Sequence, residues 1–372
     1  MTVGCCGCAM SGGRRAFLTS LLGAVMAACA GPSAEGTARR QATLAAQARD
    51  AVDRGPVIDL HAHPGAFARA RTGHLPLTAL HEMEAGGIET AFFAAVGDGL
   101  VIRREGAGIK NFRDPVPGEL YTSTIGQLER VRTRAREDRL RLVLSPADVV
   151  AARAGGQRGA LLAVEGGDPL EGEVARVRDL HALGVRSIQL VHYRVNELGD
   201  IQTEPPRHGG LTARGADVVA EMNRLGLIVD GAHAARATLL GILDVSRTPI
   251  IVSHTGPAAV RRLSRHLDDD LLRAVAAKGG VIGVWPLSQT GQTDSFFDEI
   301  AYVRGVVGID AVGIGTDMAG LSTFTSIPTY REFAPVPAAL LARGFSEADL
   351  HKLLGGNVQR VFETAAASAQ EV

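Results

Sequence analysis

Two histidines one residue apart, His61-Ala62-His63, close a short aliphatic run that begins at Val57. Residues i and i+2 of an extended strand point to one face, so both imidazoles enter the same space, as two ligands of one metal ion require. Comparable runs end in Val164-Glu165-Gly-Gly167, Leu190-Val-His192, Asp230-Gly-Ala-His233, Val252-Ser-His254 and Gly315-Thr-Asp317. Imidazole nitrogen and carboxylate oxygen suit zinc and similar cations, and one carboxylate can bridge two ions about 3.5–4 Å apart. His61, His63 and Glu165 are therefore the expected ligands of one Zn2+, and Glu165, His233 and His254 those of a second. A water held between two such ions acts as hydroxide near neutral pH. Asp317 is the expected proton shuttle, taking the proton of that water and passing it to a leaving nitrogen. His192 and an arginine remain for the substrate, one to polarise a carbonyl oxygen and the other to hold a carboxylate in a bidentate fork.

These side chains can act together only if the strands that carry them end on one face. Eight strand candidates recur: Val57–His63, Glu89–Val96, Ala160–Glu165, Arg186–His192, Leu227–His233, Pro249–His254, Gly280–Trp285 and Ala311–Asp317. Amphipathic stretches at helical spacing lie between them, among them Leu120–Glu137, Ala213–Leu225 and Asp268–Lys278. Strands alternating with helices predict parallel β/α units, and eight is the count of a closed (β/α)8 barrel of TIM type, whose active sites sit at the C-terminal ends of the strands. A doubly wound open sheet is the alternative, but it usually carries a glycine-rich phosphate turn after its first strand. Asp59-Leu-His-Ala-His-Pro-Gly65 is not one.

With 372 residues, 46% hydrophobic and 21% charged, and a net charge of -1, the chain is neither disordered nor a nucleic-acid-seeking polycation. Its four cysteines, Cys5, Cys6, Cys8 and Cys29, all precede residue 30, so the main fold has neither a disulfide framework nor a cysteine metal site. Arg14-Arg15-Ala-Phe-Leu18 followed by the apolar run Leu21–Ala30 has the form of an export signal and resembles the twin-arginine type. The run is too short to span about 30 Å of hydrocarbon. Met26-Ala-Ala-Cys29 resembles a lipobox that would leave Cys29 lipidated, while Ala28-Cys-Ala30 could instead be a cleavage site; a hydrophobic helix in a cytoplasmic protein is the bland alternative. The expected organisation is thus a leader over 1–30, a tether and short helix over 31–55, the barrel over 56–364 and a frayed tail over 365–372. The expected location is the periplasm or its membrane, the membrane being reached only through the lipid.

From Val57 to about Phe362 the chain resembles the membrane dipeptidase (renal dipeptidase) family of the amidohydrolase superfamily, zinc enzymes on a (β/α)8 barrel. The resembling segments are Val57–His63, Val164–Gly167, Gly210–Gly215, Met222–His233, Pro249–His254, Ser264–Asp270, Gly313–Asp317 and Gly355–Phe362. The resemblance implies an exported metallopeptidase for dipeptides in which Glu165 bridges two ions, His233 and His254 hold the second, and Asp317 is the acid and base. It also matches His192 to the histidine at the scissile carbonyl and Arg265 to the arginine at the substrate carboxylate, with Arg261 and Arg262 as competitors. The family often dimerises, so a homodimer is compatible with the resemblance. Two departures stand out. The family has His-x-Asp where this chain has His61-Ala-His63, which removes one negative charge from the first ion's ligands, and Gly315–Gly320 lacks the family's second Asp, expected to alter the pocket floor. The His-x-His form is common elsewhere in the superfamily, so cleavage of N-acyl amino acids or lactones is the alternative activity. A non-catalytic ligand-binding lipoprotein is a further one.

Other features carry weaker expectations. Tyr193, Arg194 and Asn196 follow strand four and could reach substrate, Trp285 and Pro286 could wall the pocket, and residues 97–120 form either a lid or a solvated insertion. His74, His81, His181, His208 and His351 read as solvated or capping, and Asp268-Asp-Asp270 as the acidic start of a helix.

Overall fold

In the computed structural model each of the eight aliphatic runs forms a parallel strand: β1 (Ile58–Ala62), β2 (Thr90–Val96), β6 (Gly159–Glu165), β7 (Val185–Gln189), β8 (Ile228–Asp230), β9 (Ile251–Thr255), β10 (Val281–Val284) and β11 (Val312–Ile314), in that spatial order. The structure describes residues 34–63, 79–106, 108–288, 294–320 and 325–369. The segment read as a leader, residues 1–30 with Cys29, and His74 lie outside them. Main-chain bonds from Asp317 N–H to the His61 carbonyl (2.9 Å) and from His63 N–H to the Met318 carbonyl (2.6 Å) bring the last strand back to the first. The result is the nearly closed (β/α)8 barrel of TIM type that the alternation predicts, and not a doubly wound sheet.

Strand alternation sorts the core. Ile58, Leu60, Phe92, Ala94, Leu161, Ala163, Ile228, Ile251 and Val281 form one buried cluster that reaches Val358, Val361 and Phe362 of the last helix. Their strand neighbours Phe93, Leu162, Ile188, Val229 and Ile282 belong to a second cluster, with helical residues such as Leu128, Val177, Val218, Leu272 and Val303. One set fills the barrel and the other glues helices to its outside, the division expected when side chains point alternately to the two faces. Burying such aliphatic side chains contributes about 1.5–3 kcal/mol each.

The helices follow the amphipathic stretches closely, at Glu119–Glu137, Ala213–Arg224, Arg236–Val245, Asp269–Ala277 and Asp294–Val307. Asp268 caps the fourth of these by accepting from the Leu271 N–H (3.0 Å), the role its acidic run suggests. Two local expectations are corrected, and a third segment is filled in. Residues 34–54 are one continuous 21-residue helix rather than a tether with a short helix at its end. The tail is helical through Ala367, because Ala365 is buried against the core. Residues 97–120 contain a two-stranded antiparallel hairpin, β3 (Ile102–Glu105) with β4 (Gly108–Asn111), and a two-residue strand, β5 (Arg141–Leu142), adds to β6. No helix among the described residues is long and apolar enough to cross a membrane.

Candidate metal centre and its surroundings

Glu165, the last residue of β6, stands at the middle of the strand ends and is buried. Its Oε1 lies 3.3 Å from His61 Nε2, 3.3 Å from His192 Nε2 and 3.5 Å from both His233 and His254 Nε2, while Oε2 lies 3.3 Å from His63 Nε2. The imidazoles also crowd one another: His61 and His63 Nε2 are 3.1 Å apart, and His233 and His254 Nε2 3.0 Å apart. Among the described residues two groups of donors are compact enough to hold an ion, His61 with His63 and Glu165, and Glu165 with His192 and His233. His254 sits beside the second. The expected ligands are thus brought together, and His192 stands nearer the second site than a residue reserved for substrate needs to be.

Local backbone devices aim these side chains. The β1 register shifts between Asp59 and Ala62, so His61 and His63 turn toward Glu165 although Ile58 and Leu60 belong to the core. His63 Nδ1 donates to the Ala94 carbonyl (3.1 Å), which fixes the proton there and leaves the Nε2 lone pair facing the carboxylate. His192, His233 and Asp317 lie beyond their strands, which stop at Gln189, Asp230 and Ile314 rather than running to the reactive residues. The backbone turns there: His233 (φ 65°) and Asp317 (φ 49°) are left-handed, a conformation that His and Asp tolerate better than most residues and that recurs at functional sites. Gly320 permits the approach, since a Cβ there would lie 2.0 Å from Asp317 Oδ1 and 2.4 Å from His63 Cδ2. Within the segment that lacks the resembling family's second Asp, Ala319 is exposed.

Carboxylates behind the cage were not legible in the sequence. Asp98, fully buried after β2, lies 2.7 Å from His192 Nδ1 and accepts the Tyr193 N–H (3.0 Å). Asp59 accepts from the Thr316 N–H (2.8 Å), the Thr316 hydroxyl (2.6 Å) and the Tyr330 hydroxyl (2.6 Å), tying the first strand to the last. Asp230 accepts from the Ala232 and Ser253 N–H groups (2.9 and 3.0 Å), which sets the turns that carry His233 and His254. Their only sequence signal is a strand-end acid with no evident ligand role.

Burial and charge pull these groups apart. Burial drives His233 and His254 well below the ordinary histidine range, leaving neutral imidazoles able to ligate. Burial would raise Glu165, but His192, His61 and His63 outweigh it and hold the carboxylate well below its usual range. Asp317 is raised by burial against the opposing pull of His63 and His61. His192 is pushed up to about 9: burial opposes this, and Asp98 and Glu165 overcome it.

Arg265 is buried beside the cage, with Nε donating to Gln202 Oε1 (3.1 Å) and Nη2 to the His254 carbonyl (3.3 Å). Its competitors are elsewhere: Arg261 pairs with buried Glu299 (2.9 Å), and Arg262 is exposed. Tyr193 packs edge-on against His192 and His233, at 4.5 and 4.9 Å. Arg194 and Asn196 instead bind Asp168, at 2.8 and 3.1 Å, and brace the loop. Trp285 packs on His254 (5.7 Å) and so does wall the site.

The sequence pattern described as Membrane dipeptidase (Peptidase family M19) matches residues 45–372. The chain is 36% identical over 216 residues to dipeptidase aclJ of Aspergillus oryzae, covering 55% of this chain and 51% of that relative. It thus spans about half the length of that protein. Among solved structures it resembles an amidohydrolase from Pseudomonas aeruginosa (TM-score 0.71, 24% identity, 86% of this chain and 99% of that one). It also resembles a metallopeptidase from Rhodobacter sphaeroides liganded with a phosphinate mimic of the dipeptide L-Ala-D-Ala (TM-score 0.72, 21% identity, 83% and 99%). At these identities the structural likeness is one of fold.

Proposed function

The chain belongs to the membrane dipeptidase family, peptidase family M19, and on that premise we propose that it hydrolyses the peptide bond of dipeptides with the help of two zinc ions. The observation that carries this reading is the gathering of five imidazole Nε2 atoms within 3.5 Å of one buried carboxylate, Glu165. His233 and His254, kept neutral by burial, and His63, whose Nδ1 proton is committed to the Ala94 carbonyl, turn ring nitrogens toward the same carboxylate, so the donor set fits the metals. His61, His63 and Glu165 would hold one ion and Glu165, His233 and His254 the other. The chemistry such a pair supplies when bound is Lewis acidity toward a water and a carbonyl.

The protein's own side chains do the rest. Arg265 binds the free carboxylate of the dipeptide. His192 Nε2, its ring held from behind by Asp98, faces the scissile carbonyl and stabilises the charge that grows on its oxygen. Asp317 holds a proton at Oδ1 and delivers it to the departing amine. Tyr193 and Trp285 pack around the imidazoles and exclude water, which strengthens each of these interactions.

The test is a panel of unblocked dipeptides given to zinc-reconstituted protein. Roughly two equivalents of zinc and hydrolysis that is lost on chelation and restored by zinc are expected. A folded protein that binds no metal and cleaves no dipeptide overturns the reading. His63, an imidazole where the resembling family has a carboxylate, favours a second reading as an N-acyl amino acid or lactone hydrolase; cleavage of those substrates with no dipeptide activity selects it. Export by the twin-arginine route with a lipid on Cys29 completes the proposal. Arg14→Lys with Arg15→Lys should retain the protein in the cytoplasm and Cys29→Ser should release it from the membrane; an unchanged distribution in both overturns it.

A further inference from the structure

Arg265 is held on three sides. Its Nε donates to Gln202 Oε1 (3.1 Å), Nη2 donates to the His254 carbonyl (3.3 Å), and the guanidinium lies over the Trp285 ring, 5.0 Å from its centroid. The Trp285 ring is itself pinned, because its Nε1–H donates to His266 Nε2 (3.1 Å). His266 Nδ1 in turn donates to the Arg261 carbonyl (2.7 Å), which obliges Nε2 to be the acceptor the indole needs. Arg265, Trp285 and His266 are all buried.

A guanidinium can bind a carboxylate through its Nε/Nη2 edge or through its two Nη groups. Here Gln202 and the His254 carbonyl take up the first edge, and the guanidinium also hydrogen-bonds the Tyr193 side chain, so a substrate carboxylate would meet the Nη edge beside Tyr193. We infer that Gln202, Trp285 and His266 are positioning residues that hold Arg265 with its Nη edge toward the substrate, and thereby make the enzyme select dipeptides with a free terminal carboxylate. All three act through Arg265. The inference rests on the dipeptidase reading above.

The experiment compares the fastest-cleaved dipeptide of the panel with its C-terminal amide, in wild type and in the variants Trp285→Leu, Gln202→Leu, His266→Leu and His266→Gln. Wild type should prefer the free acid. Gln202→Leu should raise KM for the acid about tenfold while leaving kcat and the amide nearly unchanged, and Trp285→Leu, which also opens the wall of the site, should lower cleavage of the acid about tenfold more than cleavage of the amide. His266→Leu should do the same more weakly, and His266→Gln, whose side-chain oxygen can accept the indole N–H, should restore the wild-type ratio. Trp285 is the single tryptophan of the chain, so in wild type and the His266 variants its fluorescence reports on this cluster alone. A dipeptide should change that signal more than its amide does. Variants that lose acid and amide cleavage equally, or that keep the wild-type ratio, overturn the positioning role while leaving dipeptidase activity established. Absence of any dipeptide cleavage by wild type overturns both.

Discussion

Glu165 and Glu299 are both buried carboxylates with histidine nearby, and they do opposite things. Around Glu165 five imidazole nitrogens face inward, and the ring charges drag the carboxyl well below its ordinary range despite burial. Around Glu299 the opposition to burial comes from Arg261, and the carboxyl is pushed up to about 7. The histidine between that pair and the cage, His266, has both nitrogens engaged within the protein, one by the Arg261 carbonyl and one by the Trp285 indole. Glu299 is matched by one opposite charge, Arg261 at 2.9 Å, and the pair ties a helix to the loop that carries His266. Around Glu165, by contrast, imidazole nitrogens from several strand ends converge on one carboxylate, the donor set that a divalent cation takes.

Four measurements break or sharpen that contrast. Glu165→Gln removes the bridging charge and should abolish zinc binding together with activity, a loss of about a thousandfold or more; elemental analysis and dipeptide turnover check it, and a variant that keeps its zinc breaks the contrast at its centre. Asp317→Asn should keep zinc but lower kcat by about 10²–10⁴, because a positioned proton carrier contributes that much; near-normal turnover would remove Asp317 as the shuttle. Asp98→Asn preserves shape but not charge behind His192. Activity should fall about 10–100-fold, as for other groups that orient a site from behind, with zinc content retained. Glu299→Gln should leave zinc and turnover alone and alter only stability. The sign follows from the raised pKa. Unfolded, the group titrates near its ordinary 4.5, whereas folded it holds its proton to about 7, so wild-type stability gained below pH 4.5 is lost as pH rises through 7. The melting-temperature difference between Glu299→Gln and wild type should therefore grow in the variant's favour from pH 5 to 7.5, by roughly 2 °C. A difference independent of pH would show that Glu299 is ionised throughout.

Much of the barrel and cage was readable because parallel strands write their ends into the sequence. His61-Ala-His63, Glu165, His192, His233, His254 and Asp317 each follow an aliphatic run, and in a barrel every such run ends at the same mouth. Exact strand ends were less legible. Ala232-His233 and Thr316-Asp317 continue the apolar and β-branched pattern, yet the chain has already left the sheet, because Gly231, Gly315 and two left-handed residues turn it. The hairpin at 102–111 was hidden because Ile102-Arg-Arg-Glu105 and Gly108-Ile-Lys-Asn111 are largely exposed and show no buried face. Asp98 was missed for another reason. Val96-Gly-Asp-Gly99 reads as an ordinary turn, and its partner His192 is 94 residues away.

The sequence alone determined which residue types reach one end of the fold, and hence the metal chemistry available there, because strand periodicity and strand direction are local properties. It also named three arginines, Arg261, Arg262 and Arg265, for one task. Only the tertiary structure decided among them, since their difference lies in long-range partners: Glu299 from a later helix takes Arg261, solvent takes Arg262, and Gln202 with Trp285 hold Arg265 beside the cage. Packing brings such partners together at close range, and no spacing along the chain encodes it.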